Sequence, residues 1–256
     1  MSSASLESTE RVTTVRFHRP DAANALDGEM LETVERGLDE ASRRSGVLIM
    51  SGLPDVFCTG ADLVAVSSEA AGAHQPDYLF DLWTRMISGD VIVVTHVRGK
   101  TAAGGVGFVA ASDFVVSDQL ATFALPEMLF GLMPAMVLPF LAHRIGARRA
   151  HTLAISTRTI DASTALSWGL VDEMGERSDV LLARLLNRLC RIPRDGVAPL
   201  KRFSADVICS TKAARPHAIE ANLSRFADPL VRKRMAAYAN DNLMPWELND
   251  EGGRDE

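Results

Sequence analysis

Short unbroken apolar runs alternate along this chain with stretches in which apolar residues recur every three or four positions. The run VTTVRF at 12–17 predicts an opening strand, closed by Arg19 and Pro20. Asn24, Ala25 and Leu26 then lead into a helix with Met30, Leu31, Val34 and Leu38 on one face. VLIM at 47–50 and VIVVTHV at 91–97 read as buried strands, and residues 82–88 as a short helix before the second. Residues 64–79 are rich in Ser, Ala and Gly without periodicity and predict a mobile loop. Strands follow at 114–117 and 122–125, then a helix at 135–145. Asp161 is placed to cap the start of a helix that Gly169 ends, and 170–171 resume an extended segment. From Asp179 the pattern is helical, with Val180, Leu181, Leu185, Leu186 and Leu189 on one face; Pro193 and Pro199 interrupt it, and helices continue toward Tyr238. Strand–helix units recur roughly every forty residues, a spacing suited to a stacked or spiral α/β body. An all-helical tail begins near residue 195.

Two turns carry the candidate chemistry. GKTAAGGVGF at 99–108 follows the strand at 91–97, and FCTGADL at 57–63 follows the strand at 47–50. A strand, a glycine-dense turn and small residues entering a helix aim backbone N–H groups at a ligand, aided by the positive end of the helix dipole. Two such turns supplying one N–H each to a single oxygen would form an oxyanion hole. The dinucleotide pattern fails, because Gly105 and Gly107 are followed by Phe108, Val109 and Ala110 without the third glycine. The phosphate-loop pattern fails for want of a correctly spaced Gly-Lys-Ser/Thr.

Composition narrows the class further. The 256 residues are 47% apolar and 23% charged with a formal charge of −6, as in an ordinary enzyme and unlike a nucleic-acid binder. Cys58, Cys190 and Cys209 are too few and scattered for a disulfide framework or a zinc site. Cys58 lacks a local general base, so it reads as a buried thiol. The polar, acidic N-terminus does not resemble a signal peptide, and no apolar run reaches the length of a membrane span; a cytoplasmic protein is expected.

Arg19-Pro20 with Asn24-Ala25-Leu26, Gly60-Ala61-Asp62-Leu63, Gly104-Gly105, Pro126-Glu127 with Gly131, and Trp168-Gly169-Leu170-Val171 together resemble the crotonase (enoyl-CoA hydratase/isomerase) superfamily over nearly the whole chain. The resemblance implies an α/β fold, a spiral of ββα turns over residues 1–194, with a C-terminal helical trimerisation region at 195–256. It implies a homotrimer or a dimer of trimers. It places oxyanion donors on the N–H groups of Ala61 and Gly104, and a catalytic carboxylate on Glu127. Asn24, Ala25, Leu26, Asp62 and Gly105 are the implied substrate-binding positions. Asp62 is open to a second reading, as a brace for its turn. Glu127 is too, as a helix-N-terminal carboxylate stabilised by the dipole. The substrate is implied to be an acyl group on coenzyme A or on the phosphopantetheine of an acyl carrier protein, with no further cofactor and no metal.

The chain departs from the two-glutamate hydratase pattern at Gly107, where the first glutamate would stand. GLMPAMVLPFLAHRIG at 131–146, the 104–113 segment and Pro245-Trp246-Glu247 are similar to the dehydratases of polyketide β-branching cassettes. These convert carrier-bound 3-hydroxy-3-methylglutaryl to 3-methylglutaconyl. A Δ3,Δ2-enoyl-CoA isomerase and a silent thioester-binding scaffold are the alternatives. Lys100 and His143 are candidates to meet a distal substrate carboxylate. Arg148, Arg149, Lys201 and Arg202 are candidates to meet an acidic carrier protein.

Overall fold

The computed structural model describes residues 2–62, 76–208 and 211–248, with 205–208, 211, 212 and 246 described by backbone alone. Residues 63–75, Cys209 and the side chain of Trp246, all used in the sequence reading, lie outside what is described. Residues 76–79, read as loop, instead open a helix that runs to Ser88.

The strands form two sheets. The larger has the order β1 (Ala4–Ser8), β2 (Thr13–Phe17), β3 (Val47–Ser51), β5 (Ile92–Val97), β7 (Phe114–Ser117), β10 (Glu173–Met174). The smaller has β4 (Val56–Cys58), β6 (Lys100–Ala102), β8 (Thr122–Ala124), β9 (Ile160–Asp161). β3, β5 and β7 are each followed in sequence by a strand of the other sheet. Corresponding strands of successive turns pair in parallel, β3–β5–β7 in one sheet and β4–β6–β8 in the other. This is the expected spiral of ββα turns. Parallel neighbours need crossover connections, which α1 (Gly28–Arg43), α2 (Pro76–Ser88) and α3 (Gly104–Ala111) provide. β3, β5 and β7 begin at 47, 92 and 114, so the units are unevenly spaced rather than recurring about every forty residues.

The local reasons are mostly visible in the residues. β3 and β5 are buried at every position, as continuous apolar runs in a doubly covered sheet are. Asp27 caps α1 by accepting from the Met30 N–H at 2.9 Å, and Met30, Leu31, Val34 and Leu38 face the core. α3 is apolar all round and buried beyond Gly104, so it runs through the core rather than over it. Around it the rings of Phe57, Phe17, Phe108, Trp83, Phe140 and Phe80 make successive contacts at centroid spacings of 4.9 to 5.9 Å.

The remaining helices are α4 (Leu138–Ile145), α5 (Ala147–Ser156), α6 (Ala162–Trp168), α7 (Ser178–Leu189), α8 (Val197–Ile208), α9 (Thr211–Ala227) and α10 (Pro229–Asp241). α4 thus starts three residues later than expected, and α5 was not anticipated. Asp161 and Gly169 cap α6 as expected, with Asp161 accepting from the Thr164 N–H at 2.8 Å. The extended segment expected at 170–171 is realised at Glu173–Met174.

Lys201, expected on a basic outer face, is instead buried. Its Nζ donates to the Met86 and Val91 carbonyls at 2.5 and 2.8 Å and to Asp113 Oδ2 at 2.7 Å. A buried ammonium persists when all its protons are bonded, so this lysine fastens α8 to the sheet and is not offered to a partner.

Candidate active site

β4, β6 and β8 are adjacent and parallel, so the chain leaves all three at the same edge of the small sheet. The Cys58–Thr101 and Ala102–Ala124 registers set residues 59–61 beside 102–104, and 125–127 beyond them. Sheet topology is therefore what brings Ala61, Gly104 and Glu127, distant in sequence, to one place.

The two glycine turns touch. A Cβ on Gly60 would lie 2.6 Å from Ala103 Cβ and 2.8 Å from Gly104 N, and Gly60 has φ +88°, so this position accepts glycine alone on both counts. Leu26 forms a parallel bridge with Ala61 and donates its N–H to the Gly60 carbonyl at 2.7 Å. In such a bridge the neighbours of Ala61 make the bonds, which turns its own N–H away from Leu26. Gly104 is the first residue of α3, where an N–H has no intrahelical acceptor. Ala103, just before it, holds φ +49° and ψ −124°, a rare conformation for alanine, fixed in part by its N–H donating to Ala124 O at 3.0 Å.

Glu127 heads a four-residue 3-10 turn, Glu127–Phe130, closed by Gly131 in the left-handed region. So short a turn has little dipole to offer a carboxylate, which removes the dipole-stabilised reading. Its Oε2 is buried without a hydrogen-bond partner among the described residues. Burial pushes the Glu127 carboxyl up to about 7, the poise of a general base near neutral pH.

Ala61, Gly104 and Glu127 line one mostly apolar cavity of about 150 Å³. Of the five implied binding residues, Leu26 lines it as well. Asn24 is fully buried, its Nδ2 donating to the Val56 and Phe57 carbonyls at 3.1 and 3.0 Å and its Oδ1 accepting from the Arg19 N–H. Ala25 is buried, its carbonyl accepting from Arg19 Nη1, and Asp62 Oδ2 accepts from Arg19 Nη2 at 2.7 Å. Gly105 lies behind the wall; a Cβ there would sit 2.4 Å from the Cys58 carbonyl. Cys58 is buried, and desolvation drives its thiol up to about 12, so it is no nucleophile. Lys100 is exposed and His143 is half-buried, and neither lines the cavity.

The model of the family described as enoyl-CoA hydratase/isomerase matches residues 7–248. The chain belongs to this family. It is 38% identical over 240 residues to the bacillaene synthase dehydratase PksH of Bacillus subtilis, covering 91% of this chain and 92% of that protein. It is 29% identical over 176 residues to the enoyl-CoA hydratase echA8 of Mycobacterium leprae, covering 67% and 68%. The crystal structure of a polyketide biosynthesis enoyl-CoA hydratase (pksH) from Bacillus subtilis superposes with a TM-score of 0.87 at 36% identity, over 92% of this chain and 96% of that one. An enoyl-CoA hydratase structure from Mycobacterium avium, at 23% identity and a TM-score of 0.82 over 96% and 99%, agrees in fold.

A family enzyme of hydratase or dehydratase type works on an acyl thioester, and Ala61, Gly104 and Glu127 line the same cavity. What sequence reasoning missed is Trp83. A Cβ at Gly107 would lie 2.3 Å from both Cζ2 and Cη2 of its indole, so the ring occupies the space beside the missing glutamate. Gly107 was the available signal, but nothing in it names the residue that fills the gap. Asn222 and Phe226 of α9 also reach the cavity, so the helical region shares in its wall.

Proposed function

We propose that this enzyme dehydrates 3-hydroxy-3-methylglutaryl, carried as a thioester on an acyl carrier protein, to 3-methylglutaconyl during polyketide β-branching. The observation that carries the reading is that Glu127, with a buried unpartnered Oε2, lines one cavity with Ala61 and Gly104, while Gly107 and Trp83 leave no room for the second glutamate and the cavity's other carboxylate, Asp27, is engaged in capping α1. Similarity to a dehydratase of bacillaene synthase supports the direction and the setting. The thioester oxygen accepts from the Ala61 and Gly104 N–H groups, and Glu127 takes the α-proton. The enolate then expels the β-hydroxyl as the Cα=Cβ bond forms, and Glu127 returns its proton to the departing oxygen, leaving as water. Each donor contributes roughly 3 kcal/mol to the enolate-like transition state.

A Δ3,Δ2-enoyl-CoA isomerase is the second reading, favoured by the same loss of the second glutamate at Gly107, since moving one proton along an acyl chain asks for one base. Mass spectrometry of carrier-bound 3-hydroxy-3-methylglutaryl incubated with the enzyme tests the first reading by loss of one water. An intact substrate, together with conversion of a 3-enoyl-CoA to its 2-isomer, would replace it by the second. The trimer belongs to the same proposal. Leu200 and Phe203 lie one turn apart on α8 and are 65% and 66% exposed, an unpaired apolar pair that a neighbouring subunit would cover.

A further inference from the structure

Two residues that line this cavity carry buried polar atoms of complementary chemistry. Glu127 Oε2 can accept or carry a proton, and Trp83 Nε1–H can only donate. Both are buried and neither has a partner among the described residues, although the cavity is otherwise mostly apolar. Trp83 is fully buried, and its position is set by edge-to-face contacts with Phe108 and Phe140 at 5.7 and 5.4 Å. The indole edge that carries Nε1 is also the edge laid on Gly107, whose missing Cβ would lie 2.8 Å from Cε2. Buried indole N–H groups are normally bonded, so one left unpartnered and closed to water, on a residue that lines the cavity, calls for an acceptor that a bound ligand would bring.

We infer that Trp83 is a specificity-determining residue whose Nε1–H donates to the β-oxygen of the bound acyl group. The inference rests on the thioester-binding reading of this site. With the thioester oxygen held by Ala61 and Gly104, the next acceptor along a 3-hydroxyacyl chain is the β-hydroxyl oxygen. A donor there holds the leaving oxygen by a lone pair and leaves its other side to the Glu127 proton. A carboxylate in the same place would compete as a second base, and an indole does not. The site therefore selects 3-oxygenated acyl chains over saturated ones.

The test uses the wild-type protein labelled uniformly with ¹⁵N, with the indole signals of its three tryptophans assigned from Trp168→Phe and Trp246→Phe variants. The probes are the butyryl and 3-hydroxybutyryl amides of aminopantetheine. Their α-protons are too weakly acidic to react, and pantetheine is common to both carriers. Both ligands should shift the Ala61 and Gly104 backbone amides. The hydroxylated one alone should move the Trp83 indole proton downfield, and it should bind about two- to tenfold more tightly. Replacing Trp83 site-specifically by β-(3-benzothienyl)alanine, which keeps the bicycle and loses the N–H, should erase that preference. If the amides respond to both ligands and the Trp83 signal does not distinguish them, the inference falls and the thioester reading stands. If neither ligand shifts the amides, the reading falls and takes the inference with it.

Discussion

The Trp83 ring stands where a side chain at Gly107 would begin, with two ring carbons 2.3 Å from the place of its Cβ. The absence of the second glutamate is thus built into the packing. The ring is held by Phe108 and Phe140 and cannot swing aside as a flexible chain end would.

Gly107→Ala should therefore destabilise the protein, against local propensity. Alanine gains roughly 1 kcal/mol over glycine inside a helix. Overpacking a rigid ring costs about 1–3 kcal/mol and at this distance should exceed the gain. Gly107→Glu should melt lower still, and combining it with Trp83→Ala should cost less than the sum of the two changes, because the cavity made by one accommodates the other. Melting curves of the four variants beside wild type decide it; a Gly107→Ala variant as stable as wild type would show that the ring yields.

Lys201→Ala should be among the most damaging changes in the helical region, at about 3–5 kcal/mol. It would leave two carbonyls without their donor and the half-buried Asp113 without its cation. Denaturant unfolding of Lys201→Ala beside Arg202→Ala, whose side chain is exposed, separates this fastening from a general loss of charge. Equal midpoints for the two would refute it.

How much of this was legible beforehand depends on the range of the interactions. Periodicity and capping are local, so α1, α6 and the apolar strands could be read directly, as could the two glycine turns. β1 pairs antiparallel with β2 through five short, mostly polar residues that carry no periodic signal. The burial of Lys201, the ring beside Gly107 and the braces on Asn24 and Asp62 are all contacts between residues far apart in sequence. A lysine beside an arginine reads as surface until the carbonyls of Met86 and Val91 are seen to surround it. Glu127 after Pro126 also reads as a helix-capping carboxylate, and the shortness of its turn and its unpartnered oxygen separate the two.

Gly104→Ala and Gly104→Pro should part company. An added Cβ at 104 meets Leu26 Cδ1 at 3.1 Å, the movable end of a side chain, and keeps the N–H. Proline removes that N–H. The alanine variant should keep thioester turnover within about tenfold, and the proline variant should lose 10²–10³-fold in kcat, the usual cost of one oxyanion donor. Because Ala103 is already in a rare conformation, circular dichroism must first show that the proline variant is folded. A folded proline variant with normal kcat would remove Gly104 from the oxyanion hole.

Glu127 should show itself in two pH profiles of opposite sense. Its carboxyl is pushed from the usual 4.5 to about 7 by burial, so the base form is scarce below neutrality. kcat/KM for elimination should rise with pH to a plateau, half-maximal near pH 7. Stability should do the reverse. The folded state holds the proton more tightly than the unfolded chain, so the contribution is complete below pH 4.5 and is lost as pH rises through 7, by about 3 kcal/mol. Glu127→Gln is neutral at every pH and escapes that loss, while it cannot accept an α-proton. It should fall at least 10²-fold in turnover, melt above wild type at pH 8, and converge with it near pH 5. A variant that keeps its rate would pass the base role to another residue, Asp27 being the other carboxylate that lines the cavity and the next to examine. One that loses rate without gaining stability at pH 8 would mean that the wild-type carboxylate is not buried as a charge.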